Sequence, residues 1–312
     1  MTNTWLLRLP SLKVQLAKLL GEPPIKNDVI VLSPSSVKYD LQMDGGCIVK
    51  LLLKKYYGWR QRMNQYVYRG HLIDRAVEFN LSQKVLSGED RPVEEAVAFI
   101  RNLHEKHEAN SFSEYKLDDL SEPRKMQSFL EKIEGTIRAI WELAMPGIQP
   151  ISAQKKHALK LWPNSEASDE VVGYSDFICR DSTGNVVYDF KSLSKLLKPT
   201  NQDYMLQLST YAAAERQSGV EINKVGIYQF TPDGSDWGVL EWDFGDREYN
   251  RTIEVYKQYV EMVRNGYGPF PMKGAGPCNL FDCDYYLSCP FGAFTKKWDG
   301  PTKLGGFNGV SV

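Results

Sequence analysis

The sequence predicts an α/β fold in which a central mixed β-sheet is flanked by helices. Three observations lead to this prediction. Amphipathic helical patterns fill the first half of the 312 residues, runs rich in β-branched and aromatic residues begin near residue 151, and helical patterns return among and after these runs. Helices and strands that alternate along a chain usually build one sheet with helices on its faces. The composition, 42% hydrophobic and 25% charged, is that of an ordinary globular core.

Helical patterns precede the predicted sheet, and we interpret them as an N-terminal helical insertion. The first spans residues 11–20 and ends at Gly21, and a serine followed by proline at Ser33 indicates another helix start. The pair His104 and His107 lacks the spacing of a zinc-binding H-E-x-x-H helix, so we expect an exposed helix end there. The remaining patterns lie at 47–82, with interruptions near Gly58 and Gly70, at 92–107 and at 123–143.

Strand patterns occupy the second half of the chain. The turn residues Asp181 to Gly184 join two of them, which predicts a β-hairpin over 171–191. Helical patterns follow at 204–218 and 246–265. The predicted strands are 151–162, 171–179, 185–191 and 224–231, with a weaker one at 237–243.

The organisation of the chain follows from these elements. Glycine, proline and cysteine dominate from residue 266 onward, which predicts a loop-like tail. We predict a single domain over 1–312. Its parts are a mainly helical segment (1–150), a sheet core (151–265) and a cysteine-rich tail (266–312).

Charge and hydropathy exclude several classes of protein. A net charge of −1 argues against a globally basic nucleic-acid binder, although a local basic groove remains compatible with it. No apolar run approaches the length of about 18 residues that a transmembrane helix requires. The N-terminus lacks the compact apolar segment of a signal peptide, so we expect a cytoplasmic protein.

Two carboxylates and a lysine are expected to converge on the predicted hairpin. Asp189 and Lys191 point to one face of their strand, and Asp176 on the partner strand can face them. Neighbouring carboxylates repel each other and usually imply a bound cation, for which Mg²⁺ or Mn²⁺ is suited. Such an ion activates water toward phosphodiesters. The alternative is that these residues form only the polar face of a strand.

A glutamine and a tyrosine on the following helix add to this arrangement. Gln207 and Tyr211 are four positions apart and share one helix face, so both can reach the same site. Ordinary packing of the helix is the alternative explanation.

These residues form three motifs that resemble those of the PD-(D/E)XK nucleases, in particular the RecB-like branch. The motifs are Gly173-x-x-Asp176, Asp189-x-Lys191 and Gln207-x-x-x-Tyr211. The resemblance implies a restriction-endonuclease-like core that cleaves DNA. Ser175 stands where the family name has its proline.

The resemblance also implies a role for each residue. Asp176 and Asp189 would bind Mg²⁺ or Mn²⁺, with the carbonyl of Phe190 as a further ligand. Lys191 would be catalytic. The glutamine and tyrosine of the third motif would position DNA or the active-site side chains.

An earlier helix motif of the family, G-x-x-x-H-x-x-x-E, resembles the segment from Gly70 to Glu78. Asp74 takes the place of the histidine. Glu78 is therefore the first candidate for an additional metal-site carboxylate, followed by Asp74. His71 is displaced along the helix and competes for the same place.

Three clustered cysteines and one distant cysteine indicate a second cofactor. In a reducing compartment such clusters usually bind metal. The pattern resembles that of iron–sulfur RecB-like nucleases, which include the AddB nuclease domain and CRISPR-associated spacer-processing exonucleases. It implies a [4Fe–4S] cluster that forms a C-terminal clasp, with zinc or unliganded structural cysteines as alternatives. The four residues are Cys47, Cys278, Cys283 and Cys289.

Basic and aromatic residues are interleaved over 50–75. Lysine and arginine neutralise phosphates and aromatic rings stack on bases, which favours a single-strand binding surface. A solvated helix with aromatic side chains in the core is the alternative. The basic residues are Lys50, Lys54, Lys55, Arg60, Arg62, Arg69 and Arg75, and the aromatic ones are Tyr56, Tyr57, Trp59, Tyr66 and Tyr68. Lys195 and Lys198 are further candidates for DNA contacts.

Together these features favour a Mg²⁺- or Mn²⁺-dependent DNA exonuclease that acts on DNA ends or single strands in recombination, replication or repair. A non-catalytic DNA-binding or adaptor module on the same fold is one alternative. A zinc-stabilised hydrolase with another substrate is a second.

Overall fold

The fold is that of a computed structural model in which most of the chain is described. It divides into two compact units, Met1–Gln61 together with Lys257–Val312, and Arg62–Tyr256. The single domain over 1–312 stays a prediction. The described residues are 12–23, 29–41, 47–59, 63–109, 115–116, 120, 122–165, 168–200, 204–266, 268 and 289.

The first unit consists of short elements. Ser33 begins α2 as predicted, because its Oγ accepts a hydrogen bond from the backbone N–H of Ser36 at 3.1 Å and Pro34 follows it. Gly58 ends α3 in the left-handed conformation, with φ 68°, which glycine adopts at little cost. The elements are α1 (Leu12–Leu20), β1 (Val31–Leu32), α2 (Pro34–Ser36), a π-helical turn (Val37–Leu41) and α3 (Ile48–Tyr57).

The second unit begins with long helices. The side chain of Asn64 caps α4 by accepting hydrogen bonds from the backbone N–H groups of Tyr66 and Val67, both at 3.0 Å. The elements are β2 (Met63–Asn64), α4 (Gln65–Ser87), α5 (Val93–Ala109), β3 (Tyr115–Lys116), α6 (Pro123–Leu143) and a 3₁₀ turn (Met145–Gly147), and β2 pairs in parallel with β3.

Two predictions about these helices are wrong. The interruption at Gly70 does not occur, because Tyr68, Leu72 and Ile73 on either side of it are buried in the core and hold one continuous helix. The predicted exposed helix end is wrong for His104, which is buried with its Nδ1 3.0 Å from the hydroxyl of Tyr68, whereas Glu105 and Lys106 are exposed as expected. Tertiary packing decides both outcomes.

A mixed sheet follows and confirms the predicted fold class. β4 pairs antiparallel with β5, β5 with β6, and β7 with β8, while β6 and β7 are parallel. The parallel pair requires the crossover that α7 provides. The elements are β4 (Pro150–Lys160), β5 (Glu170–Asp181), β6 (Gly184–Ser192), α7 (Met205–Gln217), β7 (Lys224–Phe230), β8 (Trp237–Asp243) and α8 (Asp246–Asn265).

The core of this unit lies between the sheet and helices α4, α5 and α6. Side chains from β5, β6 and β7, among them Phe177, Tyr188 and Phe190, join one buried cluster with residues of the three helices. The rings of Phe177 and Tyr188 stack with centroids 5.1 Å apart. Gly226 on β7 lies under the Tyr188 ring, and a Cβ there would come within 2.6 Å of Cε1. Each large side chain buried here contributes about 1.5–3 kcal/mol.

None of the helices in the described residues is long and apolar enough to span a membrane.

Candidate active site

The hairpin of β5 and β6 brings Asp176 and Asp189 together. In its register Phe177 pairs with Tyr188, so the two aspartates occupy the next positions on neighbouring strands. Tyr188 and Phe190 lie in the core, and because side chains alternate along a strand, Asp189 points to the opposite face. Asp176 and Asp189 are only 7% and 3% exposed. Two carboxylates are thus buried side by side.

Phe190 links the two strands through its backbone. Its N–H donates a hydrogen bond of 2.6 Å to Oδ2 of Asp176, while its ring packs in the core. This bond fixes one oxygen of Asp176 against β6. Phe190 lies between Asp189 and Lys191, so its backbone carbonyl is adjacent to the carboxylate beside which it is expected to bind metal.

Lys191 is the cation of the site. Its ammonium contacts Oδ2 of Asp189 directly and lies 5.5 Å from the ring centroid of Tyr204. Burial lowers the pKa of Lys191, but the charges of Asp189, Asp176 and Asp74 outweigh this effect and raise its pKa above the ordinary value. Lys191 is therefore charged at neutral pH.

A third carboxylate comes from α4. Burial raises the pKa of Asp74 to about 7, with Lys191 opposing this and the charges of Asp189 and Glu78 adding to it. Burial likewise raises the pKa of Asp176 well above its usual range, and the charges of Asp189 and Asp74 add to it. Three mutually repelling carboxylates therefore share one lysine.

The other candidates on α4 are placed differently. The carboxylate of Glu78 forms an ion pair with Arg75, and its side chain is 30% exposed. His71 is half-buried on the same helix. Among the three candidates for an additional metal ligand, Asp74 is the carboxylate whose charge acts on both Asp176 and Lys191.

Helix α7 brings the glutamine–tyrosine pair to the same region. Nε2 of Gln207 donates a hydrogen bond of 2.9 Å to the hydroxyl of Tyr211. Burial raises the pKa of Tyr211, and the nearby charge of Asp189 adds to this effect. The phenol is therefore neutral, and it lies within electrostatic reach of the carboxylates.

The donor set suits a hard divalent cation, although the cation would compete with Lys191. Within the described residues, Oδ2 of Asp189 is buried and accepts no hydrogen bond of good geometry, despite its contact with the lysine. In the same part of the chain, no three histidine, cysteine or carboxylate side chains are already gathered as a ligand set. Oxygen donors from Asp74, Asp176 and Asp189 are what Mg²⁺ and Mn²⁺ prefer. Binding of the ion would draw these groups together and displace the ammonium from Asp189.

One further residue at the site was not predicted from the sequence. Nε2 of Gln154 on β4 donates a hydrogen bond of 3.1 Å to Oδ1 of Asp176. Gln154 has φ 47° and is the one non-glycine residue with positive φ among those described. A glutamine within a strand pattern carries no signal of a left-handed backbone, so periodicity does not reveal it.

A polar chain, buried except at its lysine, joins β5 to α7 beside the carboxylates. Nε2 of His157 lies 2.7 Å from Oγ of Ser175, and its Nδ1 lies 3.1 Å from Oε1 of Glu215. Lys155 completes the chain, with Nζ 2.8 Å from the same glutamate oxygen. The His157 ring also stacks on Tyr211, with centroids 5.2 Å apart.

The order serine–histidine–carboxylate resembles a hydrolytic triad, but exposure argues against that role. Ser175 is 0% exposed, so no substrate can reach its hydroxyl. The chain is better explained as a support that holds the strand of Asp176 against the helix of Tyr211.

The neutral state of His157 predicts a pH dependence of stability. Burial lowers its pKa from 6.5 to about 4, against the opposing charge of Glu215. The unfolded chain takes up this proton at a higher pH than the folded chain. The contribution of neutral His157 to the free energy of unfolding is therefore complete above about pH 6.5. It is lost as the pH falls toward 4, by at most about 3 kcal/mol.

Urea unfolding of wild type and His157→Gln at pH 7.5 and pH 4.5 tests this. The variant should lose less stability between the two pH values than the wild type does. Equal losses in both proteins would show that His157 is not held neutral.

The basic and aromatic segment divides between core and surface. Tyr56 and Tyr68 are buried, as expected for core residues, whereas Tyr66 is 64% exposed. Lys195 and Lys198 are exposed after β6. Arg60 and Arg62 lie outside the described residues.

Arg69 is distinctive within this segment. Its guanidinium lies 5.8 Å from the ring centroid of Tyr66, and its Nε is buried without a hydrogen-bond partner among the described residues. Burial lowers the pKa of Arg69, and no carboxylate contributes to that shift. A half-buried arginine beside an exposed aromatic ring can contact a nucleotide phosphate while the ring stacks on the base.

Two of the four cysteines of the predicted cluster are among the described residues. Cys47 is half-buried directly before α3, and Cys289 is buried. Cys278 and Cys283 lie outside the described residues. The iron–sulfur cluster and the C-terminal clasp therefore remain predictions.

Comparisons with known proteins show limited similarity. No protein-family model and no curated protein matches the chain. A crystal structure from Eubacterium rectale, provisionally named an exonuclease, is 14% identical, with a TM-score of 0.42 over 74% of this chain and 84% of that one. The crystal structure of SSO0001 is 15% identical, with a TM-score of 0.31 over 62% of this chain and 85% of that one. Values this low carry no argument about activity.

Proposed function

We propose that this protein is a Mg²⁺- or Mn²⁺-dependent deoxyribonuclease that hydrolyses phosphodiester bonds of DNA, as an exonuclease on ends or single strands. The observation that carries the proposal is the burial of Asp176 and Asp189 side by side, with Lys191 in contact with Asp189 and the charge of the half-buried Asp74 acting on both Asp176 and Lys191. Such a group is costly for stability alone, because each buried carboxylate raises the cost of ionising the others. A divalent cation together with a phosphate would offset that cost.

Each residue has a definite task in this proposal. Asp74, Asp176, Asp189 and the carbonyl of Phe190 would hold the ion, which supplies an activated water and neutralises the phosphate. Because the pKa of Lys191 is raised, its ammonium does not act as a base. It stabilises negative charge on the phosphate in the transition state.

The third-motif pair orients the substrate side of the site. Gln207 and Tyr211 are already joined by a hydrogen bond, so the tyrosine hydroxyl is free to donate elsewhere. In the proposal this proton is offered to a phosphate oxygen or to a carboxylate of the site.

Digestion of end-labelled DNA tests the activity. Single- and double-stranded oligonucleotides with a label at either end are incubated with Mg²⁺, Mn²⁺ or EDTA. Stepwise shortening in the presence of metal supports the proposal, and the label that is released first gives the polarity. Mn²⁺ binding and DNA binding without cleavage would favour the adaptor alternative instead.

The proposal includes a [4Fe–4S] cluster on Cys47, Cys278, Cys283 and Cys289. The burial of Cys289 is compatible with that role. Protein purified without air should then be coloured, whereas zinc, with a filled d shell, would leave it colourless. We also propose a cytoplasmic location. The resemblance of the sequence motifs to those of RecB-like nucleases leads us to propose a part in recombination, replication or repair.

Arg69 and Tyr66 provide a prediction about substrate binding. Tyr66→Ala should weaken single-stranded DNA binding by about 5- to 150-fold, because stacking on one aromatic ring contributes about 1–3 kcal/mol. Arg69→Gln should reduce the slope of log affinity against log salt by about 0.7. Fluorescence anisotropy in EDTA measures both changes without cleavage.

Arg101 provides the matched control for Arg69. Its guanidinium is paired with Glu134 by two hydrogen bonds of 2.7 and 2.8 Å, so its charge is already compensated. Arg101→Gln should leave the affinity and the salt slope unchanged. If Arg69→Gln behaves in the same way, the DNA does not contact this surface.

A further inference from the structure

Gln154 occupies an unfavourable backbone conformation directly opposite Asp176. In the register of β4 and β5, Ala153 pairs with Phe177 and Lys155 pairs with Ser175. Gln154 and Asp176 are the residues between these pairs. At φ 47° the glutamine backbone is left-handed, a region that disfavours residues with a Cβ.

The residue with the left-handed backbone conformation also makes a specific side-chain contact. Nε2 of Gln154 reaches Oδ1 of Asp176 at 3.1 Å. Strained conformations persist where the surrounding structure fixes them, and they are enriched at functional sites. The next irregularity in β4, a register shift between Pro150 and Ser152, lies toward the start of the strand and involves no side chain of the site.

Asp176 is therefore held from two sides. Oδ2 accepts a hydrogen bond from the N–H of Phe190 on β6, and Oδ1 accepts one from Gln154 on β4. Two donors on neighbouring strands fix both the position and the plane of the carboxylate. Each oxygen retains a second lone pair, which leaves it able to bind a cation.

We propose that Gln154 is a positioning residue that orients the carboxylate of Asp176 toward a divalent cation. The inference rests on the proposed metal-dependent function. Gln154 touches neither metal nor substrate and acts only through Asp176. Residues that orient a metal ligand in this way commonly contribute 10- to 100-fold to affinity or activity.

Two substitutions separate this role from a structural one. Asn tolerates the left-handed backbone but is one methylene too short, so Gln154→Asn relieves strain and loses the contact. Gln154→Met keeps the length of the side chain and removes the donor. Both variants should bind Mn²⁺ about 10- to 100-fold more weakly and cleave with a kcat lowered by a similar factor.

The measurements are Mn²⁺ titration calorimetry, DNA cleavage kinetics and thermal unfolding without metal. The KM for DNA should change little, because the carboxylate orientation affects the ion rather than the strand. The melting temperature of Gln154→Asn should stay within roughly 3 °C of the wild type. Gln127, whose Nε2 contacts Glu131 at 2.9 Å on the exposed face of α6, provides the control substitution Gln127→Asn, which should change nothing.

The outcomes distinguish this inference from the function on which it rests. If wild type binds no Mn²⁺ and cleaves no DNA, the proposed function fails. If wild type is active and both Gln154 variants retain Mn²⁺ affinity and kcat within twofold, only the positioning role is overturned. A large fall in melting temperature for both variants, with activity lost in proportion, would assign Gln154 to the fold alone.

Discussion

Asp189→Asn is expected to abolish DNA cleavage and at the same time to raise the melting temperature of the metal-free protein. The substitution removes one of the two buried carboxylates and leaves Lys191 with Asp176 and the half-buried Asp74 as counter-charges. Burial is the main cause of the raised pKa values of Asp74 and Asp176, and the repulsion by Asp189 that adds to it disappears. A gain of about 1 kcal/mol would raise the melting temperature by roughly 2 to 4 °C.

Activity should fall although stability rises, because the carboxylate that repels its neighbours without metal is also expected to bind the ion. Stabilisation of transition-state charge by a metal ion contributes several kcal/mol, so cleavage should fall by about 1000-fold or more. Added Mn²⁺ should raise the melting temperature of wild type by mass action and leave that of the variant unchanged.

Asp243→Asn is the control for this experiment, since Asp243 is an exposed aspartate at the end of β8. It should cleave and bind Mn²⁺ as wild type does. Full cleavage by Asp189→Asn would remove Asp189 from the active site. A lower melting temperature without metal would show that the carboxylates do not repel one another as inferred.

Local sequence signals located most of the sheet, because strand period and turn chemistry act over a few residues. The hairpin was expected over 171–191 and occupies β5 and β6, with Oδ1 of Asp181 accepting hydrogen bonds from the N–H groups of Thr183 and Gly184. From that hairpin alone, the juxtaposition of Asp176 and Asp189 follows. Helix α7 begins and ends within a residue of its predicted range.

The errors arise where tertiary contacts override local preference. Glycine costs about 1 kcal/mol in a helix, which made Gly70 look like a break. Burial of its neighbours Tyr68 and Leu72 contributes more than that cost and keeps α4 continuous. His104 is buried for the same kind of reason, since Tyr68 lies 36 residues away in sequence and provides its partner.

The support around the carboxylates was outside the reach of sequence patterns. His157 and Glu215 come from β4 and α7, and only the folded chain brings them within 3.1 Å. The left-handed backbone of Gln154 has no local signal either. Motif residues were therefore predictable, whereas the residues that hold them in place were not.

Lys191→Met is expected to abolish DNA cleavage, as Asp189→Asn does, but to have the opposite effects on the melting temperature without metal and on the stabilisation by Mn²⁺. Without metal, the variant leaves the buried carboxylates of Asp176 and Asp189 without the ammonium that contacts Asp189, so its melting temperature should fall. Breaking a buried ion pair costs about 3–5 kcal/mol. Protonation of Asp74 and Asp176, whose pKa values are raised, and the partial exposure of Lys191, 22%, should reduce the loss to about 1–3 kcal/mol.

Mn²⁺ should bind this variant at least as tightly as it binds wild type. The ammonium that contacts Asp189 is gone, so the ion no longer competes with it for that oxygen. Added Mn²⁺ should therefore restore the melting temperature by a larger increment than in wild type. Cleavage should nevertheless fall by about 100-fold or more, because the charge that stabilises the transition state is missing.

Lys224 offers a matched control for the lysine. Its side chain is 23% exposed, close to that of Lys191, and its Nζ lies 3.4 Å from Asp181 and 3.3 Å from Glu241. Lys224→Met should leave Mn²⁺ binding and cleavage unchanged. If Lys191→Met bound Mn²⁺ more weakly than wild type, the lysine would be supporting the ligands rather than competing with the ion. Tighter Mn²⁺ binding combined with lost cleavage would separate the residues that hold the metal from the residue that acts on the phosphate.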